Sequence, residues 1–134
     1  MAKGAEIRKG KTGRSGDGFF NLYRHGFVRA AACIPSLKVA DPAFNASQTL
    51  ELARRAHQQG CVLAVFPELG ISAYTSDDLF FQDALQRSVL GALGDVVRAS
   101  GRLDTVLVVG APLKVVDALF NCGVVMHRGR ILGV

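Results

Sequence analysis

Apolar residues fall into a strand–helix–strand order over residues 27–66. Residues 27–34 form an apolar run that predicts a first strand. Asp41-Pro42 then has the composition of a helix cap and first turn, and small apolar residues recur at helical spacing over residues 43–56. Residues 61–66 are a second unbroken apolar run, which is typical of a strand buried on both faces. This order predicts two parallel strands joined by a crossover helix.

The second half of the chain begins with the clearest amphipathic pattern. Apolar pairs recur every four residues over 84–97, which predicts a helix ending near Gly101. Gly91 and Gly94 weaken this helix, and we interpret them as points of close packing against a neighbouring layer. Further strands are predicted over residues 105–109 with an extension at 113–116, over 119–126 and over 131–134. Since the last strand runs to the final residue, we expect the sequence to be the first part of a longer domain.

Length, composition and charge limit the possible classes. With 134 residues, 49% hydrophobic and 20% charged, the chain predicts at most one globular domain. No apolar run is long enough for a membrane span or a signal peptide, so a cytoplasmic location is expected. The net charge is +5, and residues 1–24 hold six basic and two acidic residues, +4 of that total. We therefore predict a basic, Gly-rich, disordered leader over residues 1–18 and a folded domain over 19–134.

Three cysteines, Cys33, Cys61 and Cys122, lie in or beside the predicted apolar strands. An odd number argues against a disulfide framework, and their spacings fit no metal site. We expect each to be a small buried hydrophobic residue.

Candidate chemistry begins directly after the second strand. Pro67 ends the strand because it has no N–H to donate, and Glu68 follows at the carboxyl end, where open α/β sheets bind ligands. Phe66, Leu69 and Ile71 flank this carboxylate in sequence, so we expect it to be partly removed from water, as suits a general base. The alternative is a surface glutamate in a strand-to-helix turn.

The residues around Glu68 also form a recognisable set of motifs: Phe66-Pro67-Glu68-Leu69, Ser72-Ala73-Tyr74 and Asp77-Asp78-Leu79. Together they resemble the first active-site segment of the nitrilase (carbon–nitrogen hydrolase) superfamily. The stretches 23–29 (YRHGFVR) and 108–113 (VVGAPL) are similar to the glutaminase domain of bacterial glutamine-dependent NAD⁺ synthetases. The likeness runs from about Phe19 to Val134. It implies a nitrilase-like α-β-β-α sandwich of the α/β class, incomplete here at about the first half of the domain.

This resemblance implies an enzyme that hydrolyses glutamine to glutamate and ammonia with a Glu–Lys–Cys triad. Glu68 matches the base, which takes the proton of the cysteine thiol and later activates water. The family's lysine, which stabilises the oxyanion, and its cysteine are expected beyond Val134, so the 134 residues alone are expected to be inactive. Lys114 and Cys122 lie in the wrong strands to replace them.

The resemblance also implies partners and further site residues. Tyr74 matches a residue that lines the glutaminase pocket and contacts either Glu68 or the substrate; the alternative is a half-buried loop tyrosine. By the same resemblance Asn121 lies near this region, and we expect it to be a structural asparagine that bonds backbone. The implied partners are glutamine and a C-terminal synthetase domain, absent here, that uses ATP and Mg to amidate deamido-NAD⁺. A homo-oligomer is expected, with no cofactor in this chain and neither membrane nor nucleic acid as a partner. A stand-alone nitrilase-type amidase and a non-catalytic truncated remnant remain open.

Overall fold

A computed structural model describes residues 21–134, so the predicted leader over residues 1–18 lies outside the described residues. The helices are α1 (Pro42–Gln58) and α2 (Asp83–Ser100), with 3₁₀ turns at Leu22–His25 and Asp77–Phe81. The strands are β1 (Ala30–Ala32), β2 (Leu63–Val65), β3 (Val106–Val115), β4 (Ala118–His127) and β5 (Arg130–Gly133). They form one sheet in the order β1-β2-β3-β4-β5, in which β1, β2 and β3 are parallel and β3, β4 and β5 are antiparallel.

Local chemistry sets the bounds of the first helix. The Asp41 carboxylate accepts a hydrogen bond from the Phe44 N–H at 3.1 Å, and Pro42 occupies the first turn, where its missing N–H costs nothing. The helix ends before Gly60, whose φ of +73° is accessible to a residue without a Cβ. The predicted cap, helix and stop are therefore confirmed.

Strand β3 is continuous where the sequence predicted two segments. β2 ends at Val65, opposite Val108, so β3 has no strand partner on that side further along. The Gly110 carbonyl points to the β2 side, where it accepts from the Ile71 N–H, and by alternation the nitrogen of Pro112 points the same way. Pro112 therefore removes no ladder bond and pairs with Asn121 of β4 on its other side.

The two helices form a single layer on one face of the sheet. Both crossovers step in the same direction, from β1 to β2 and from β2 to β3, and α1 and α2 pack on each other. Strand residues on this face are fully buried: Ala64, Leu107, Val109, Ala111, Val124 and Met126. Apolar helix residues complete the core: Ala46, Ala53, Ala56, Leu85, Val89, Ala92, Leu93 and Val96.

The opposite face of the sheet is apolar, and within residues 21–134 no helix packs on it, although the loop at residues 67–69 crosses it at Gly110. Val65 is 41% exposed, and Val108 and Val125 are half-buried. The prediction that the second strand is buried on both faces is therefore wrong for the described residues, because both crossover helices lie on the same side. One helix layer on one sheet is half of a four-layer sandwich, and this apolar face is the surface that a second sheet would cover.

Two further features concern the helices. Among residues 21–134, a Cβ built on Gly91 or Gly94 of α2 meets no atom of another element within 4 Å, so the predicted close packing at these glycines is wrong for the described residues. Across residues 21–134, the structure contains no helix with both the length and the apolar character needed to cross a membrane.

Candidate active site

The chain reaches the candidate site by crossing over β3 immediately after β2. Gly110 makes this crossing possible, since a Cβ there would lie 2.3 Å from the Pro67 carbonyl oxygen and 2.9 Å from the Glu68 Cα. A Cβ on Gly110 would point away from the helices, so the loop runs over the uncovered face of the sheet. In the sequence, Gly110 lies in the 108–113 stretch, directly after a predicted strand, but no close backbone approach was assigned to this glycine.

Buried polar side chains hold the loop in place. The Ser72 hydroxyl donates to the Leu69 carbonyl at 3.1 Å, and the Ser76 hydroxyl donates to the Ser72 carbonyl at 2.9 Å. Asn45 of α1 is fully buried and donates through Nδ2 to the Ile71 carbonyl at 3.0 Å. Since buried polar groups stabilise a structure only when they are paired, these bonds define one conformation of the loop.

The same loop contains three non-glycine residues with left-handed backbones. These are Leu69 (φ 51°), Ala73 (φ 65°) and Asp77 (φ 42°). Such conformations cost on the order of 1 kcal/mol or more each and persist where the surrounding contacts enforce them. Two of them directly follow or precede the candidate residues Glu68 and Tyr74, so the positions of both depend on the whole loop.

The Glu68 side chain is exposed, and its Oε1 atom accepts a hydrogen bond from Nδ2 of Asn121. The expected partial desolvation is therefore wrong for the described residues. Phe66, Leu69 and Ile71 are its neighbours in sequence, but their side chains are buried in the structure and leave the carboxylate in solvent. The expectation that Asn121 bonds backbone is also wrong, because its amide donates to this side chain across 53 residues of chain.

Side chains alternate between the two faces of the sheet along β4, and this decides which of them lie on the same face as Glu68. Asn121 lies opposite Pro112 on the uncovered face of the sheet. Cys122 lies opposite Ala111, so its side chain points to the helix side. The ammonium group of Lys114 is 3.4 Å from a carboxylate oxygen of Asp83, at the start of α2. Within residues 21–134, Cys122 therefore faces the opposite side of the sheet from Glu68, and Lys114 forms an ion pair with Asp83 and none with Glu68.

A small apolar cavity of about 160 Å³ is lined in part by Asn121, the hydrogen-bond partner of Glu68. Its lining residues come from the loop, the second 3₁₀ turn and the β3–β4 hairpin: Leu69, Phe80, Pro112, Leu119, Phe120 and Asn121. Tyr74 is 66% exposed, and within residues 21–134 its hydroxyl has no hydrogen-bond partner. It therefore does not hold Glu68, and its contact with substrate stays a prediction.

The remaining reactive groups lie away from this site. Cys33 and Cys61 are buried as expected, and Cys122 is half-buried. Burial, with a smaller contribution from Cys61, raises the pKa of the Cys33 thiol, which keeps it protonated and a poor nucleophile at neutral pH. In the described part of the chain, no three His, Cys, Asp or Glu side chains are grouped so that they could bind a metal ion.

Comparison with known proteins places these observations in a family. Residues 29–134 match the family model described as carbon-nitrogen hydrolase. The glutamine-dependent NAD(+) synthetase of Mycobacterium bovis is 49% identical over 116 residues, which is 87% of this chain and 17% of that protein. The chain thus spans about a sixth of the length of the curated relatives it matches.

Two solved structures share the fold. The glutamine-dependent NAD(+) synthetase of Cytophaga hutchinsonii superposes with a TM-score of 0.73 at 20% identity, covering 79% of this chain and 18% of that one. An amidase from Nesterenkonia sp. superposes with a TM-score of 0.65 at 22% identity, covering 79% of this chain and 41% of that one. At these identities the likeness establishes the nitrilase-superfamily fold, of which the sheet and helix layer described above are a part.

Proposed function

Because this chain belongs to the carbon–nitrogen hydrolase family, we propose that it is the amino-terminal part of the glutaminase domain of a glutamine-dependent NAD⁺ synthetase. The identity of 49% with a synthetase of that name supports this choice within the family. The observation that carries the proposal is the Glu68 carboxylate, held at the carboxyl end of β2 by Asn121, which also lines a small cavity. Glutamine is the proposed substrate, and the proposed location is the cytoplasm.

Glu68 is the general base in this proposal. It takes the proton of a cysteine thiol, and the thiolate then attacks the side-chain amide carbon of glutamine. Ammonia leaves with a proton returned by Glu68, and a glutamyl thioester remains. The carboxylate next removes a proton from water, which attacks the thioester carbon. The C–S bond then breaks, glutamate is released, and Glu68 returns the proton to the cysteine sulfur. A lysine stabilises the oxyanion formed in each addition.

The cysteine and the lysine are proposed to come from sequence that follows Val134. Two observations support this assignment over Cys122 and Lys114: Cys122 faces the helix layer, and Lys114 is ion-paired with Asp83. We therefore propose that the 134 residues alone do not hydrolyse glutamine.

The proposed synthetase reaction is the ATP-dependent amidation of deamido-NAD⁺ by ammonia, in a C-terminal domain outside this chain. The proposal assigns ATP and Mg to that domain, as the resemblance to these synthetases implies. The full protein is proposed to be a homo-oligomer.

The substitution Glu68→Gln in the full-length protein tests this function. We expect NAD⁺ formation from glutamine to fall by at least about a hundredfold, because the amide has no basic oxygen for the thiol proton. NAD⁺ formation from added ammonia is expected to be unchanged, because that reaction does not use the glutaminase site. Glu51→Gln is the matched control, since Glu51 is an exposed glutamate on the outer surface of α1 and makes no part of the site.

Each other outcome selects a different explanation. Equal loss with glutamine and with ammonia would assign Glu68 a structural role. An unchanged rate with glutamine would remove the catalytic assignment of Glu68. Failure of the unsubstituted protein to hydrolyse any amide would favour a non-catalytic remnant. A full-length protein that hydrolyses amides but forms no NAD⁺ from either nitrogen source would favour a stand-alone amidase.

A further inference from the structure

The Asn121–Glu68 contact has features of a device that orients the base. Asn121 lies on β4, whose residues Ala118–Met126 all pair with β3, so the backbone that carries the amide is fixed within the sheet. Glu68 lies on a loop that is held by Ser72, Ser76 and Asn45. Two independently fixed backbones therefore meet at this one side-chain hydrogen bond, and the bond determines the orientation of an otherwise exposed carboxylate.

The chemistry of the donor distinguishes the two carboxylate oxygens. The Asn121 amide is neutral, and its N–H occupies Oε1 without adding charge to the site. Within residues 21–134, Oε2 of Glu68 receives no donor. A carboxylate with one oxygen held by an amide and the other unoccupied presents a single basic atom in a defined direction.

We propose that Asn121 is a positioning residue that holds Glu68 through Oε1 and presents Oε2 as the atom that accepts the thiol proton. This inference rests on the proposed glutaminase function and adds to it the residue that orients the base. In the step concerned, the proton moves from the thiol sulfur to Oε2. The electron pair of the S–H bond stays on sulfur and forms the bond to the amide carbon of glutamine, while the π pair of the amide C=O moves onto its oxygen to give the oxyanion.

Asn121→Leu and Asn121→Asp in the full-length protein test this proposal. Leu keeps a similar volume and removes the donor, so we expect kcat for glutamine hydrolysis to fall about ten- to a hundredfold with KM within about threefold, since a loosened base is misplaced relative to the thiol. Asp places a second carboxylate beside the first. Because like charges disfavour ionisation, we expect the acidic limb of the kcat/KM profile to move to higher pH.

Cys122→Ser is the matched control on the same strand. Its side chain points to the helix face, so glutamine hydrolysis and its pH profile are expected to stay at wild-type values. NAD⁺ formation from ammonia is expected to be unchanged in all of these variants.

The outcomes separate this proposal from the proposed function. If Glu68→Gln retains glutamine-dependent synthesis, the glutaminase assignment and this inference both fail. If Glu68→Gln is inactive but both Asn121 variants keep the wild-type kcat and pH profile, only the positioning role is overturned. Loss of both glutamine- and ammonia-dependent synthesis in Asn121→Leu would make the residue structural and would also overturn it.

Discussion

The crossing of the Glu68 loop over β3 leads to a prediction about Gly110→Ala. The new Cβ would lie 2.3 Å from the Pro67 carbonyl oxygen, 2.7 Å from the Leu69 nitrogen and 2.9 Å from the Glu68 Cα. Real Cβ atoms essentially never approach another atom within 3.0 Å, so the loop or the strand has to move by about 1 Å. All three obstacles are backbone atoms, so no side-chain rotation can relieve the clash.

The magnitude follows from the rigidity of both elements. Overpacking of a well-packed site costs about 1–3 kcal/mol, and the anchored loop places Gly110→Ala near the upper end of that range. Alanine in a strand recovers about 0.5–1 kcal/mol relative to glycine. We therefore expect a net loss of about 2 kcal/mol in the free energy of unfolding, a large fraction of the ~5–15 kcal/mol typical of a domain.

Gly123→Ala provides the comparison within the same pair of strands. Gly123 pairs directly with Gly110, but a Cβ on it meets only the Val108 Cγ1 atom at 3.7 Å, which is an ordinary contact. Its free energy of unfolding is expected to stay within about 0.5 kcal/mol of the wild-type value. Urea denaturation of the 134-residue chain, followed by far-UV circular dichroism, measures both differences from the midpoints at constant slope.

In the full-length protein, Gly110→Ala is also expected to lower the glutamine-dependent rate by about ten- to a hundredfold. The reason is that it displaces the Glu68 Cα, and a shift of about 1 Å is enough for such a loss. Stabilities within 0.5 kcal/mol of each other for the two alanine variants would refute the reasoning, since it would mean that the loop does not rest on β3.

Two further predictions concern stability away from the site. Gly91→Ala and Gly94→Ala should each stabilise α2 by about 0.5–1 kcal/mol, because helix propensity improves and the new methyl groups meet no other element of the described chain within 4 Å. A loss of thermal stability in either variant would contradict this. The Arg128 guanidinium, by hydrogen bonding and by its charge, lowers the pKa of the exposed Asp104 carboxyl. A carboxyl group whose pKa is lower in the folded than in the unfolded state stabilises the folded protein at pH values above the unfolded-state pKa. This stabilisation is lost as the pH falls through the folded-state pKa. Asp104→Asn should therefore be less stable than wild type at pH 6 but not at about pH 2. Adding 0.5 M salt should reduce the difference in stability at pH 6. Urea midpoints that differ equally at both pH values would exclude the Asp104–Arg128 pair as the cause.

The order and type of most elements could be predicted from local patterns. Helix α1 follows from the Asp41-Pro42 cap and its small apolar residues, and α2 from apolar pairs at a four-residue spacing. The last turn, at Arg128-Gly129, has two successive positive φ angles, which match the right-handed twist of a tight hairpin. Each of these signals acts within a few residues of chain, so the sequence carries it without knowledge of the fold.

The surroundings of individual side chains were predicted less well than the helices and strands. Glu68 was expected to be partly desolvated because of its sequence neighbours, yet those neighbours turn inward and the carboxylate does not. Val65 was expected to be covered on its second face, but both crossover helices lie on the first. Burial depends on which elements meet in space, and the apolar run of a strand does not specify which of its faces a helix will cover.

What the sequence determined by itself is the identity and place of the candidate base: a carboxylate directly after a strand-ending proline, within motifs of a known family. The tertiary structure alone decided what surrounds that base. Gly110 and Asn121 lie 42 and 53 residues further along the chain and act on Glu68 only because β3 and β4 pass beneath its loop. A backbone approach and a hydrogen bond between distant residues depend on strand pairing and register, and these are set by the packing of the whole sheet.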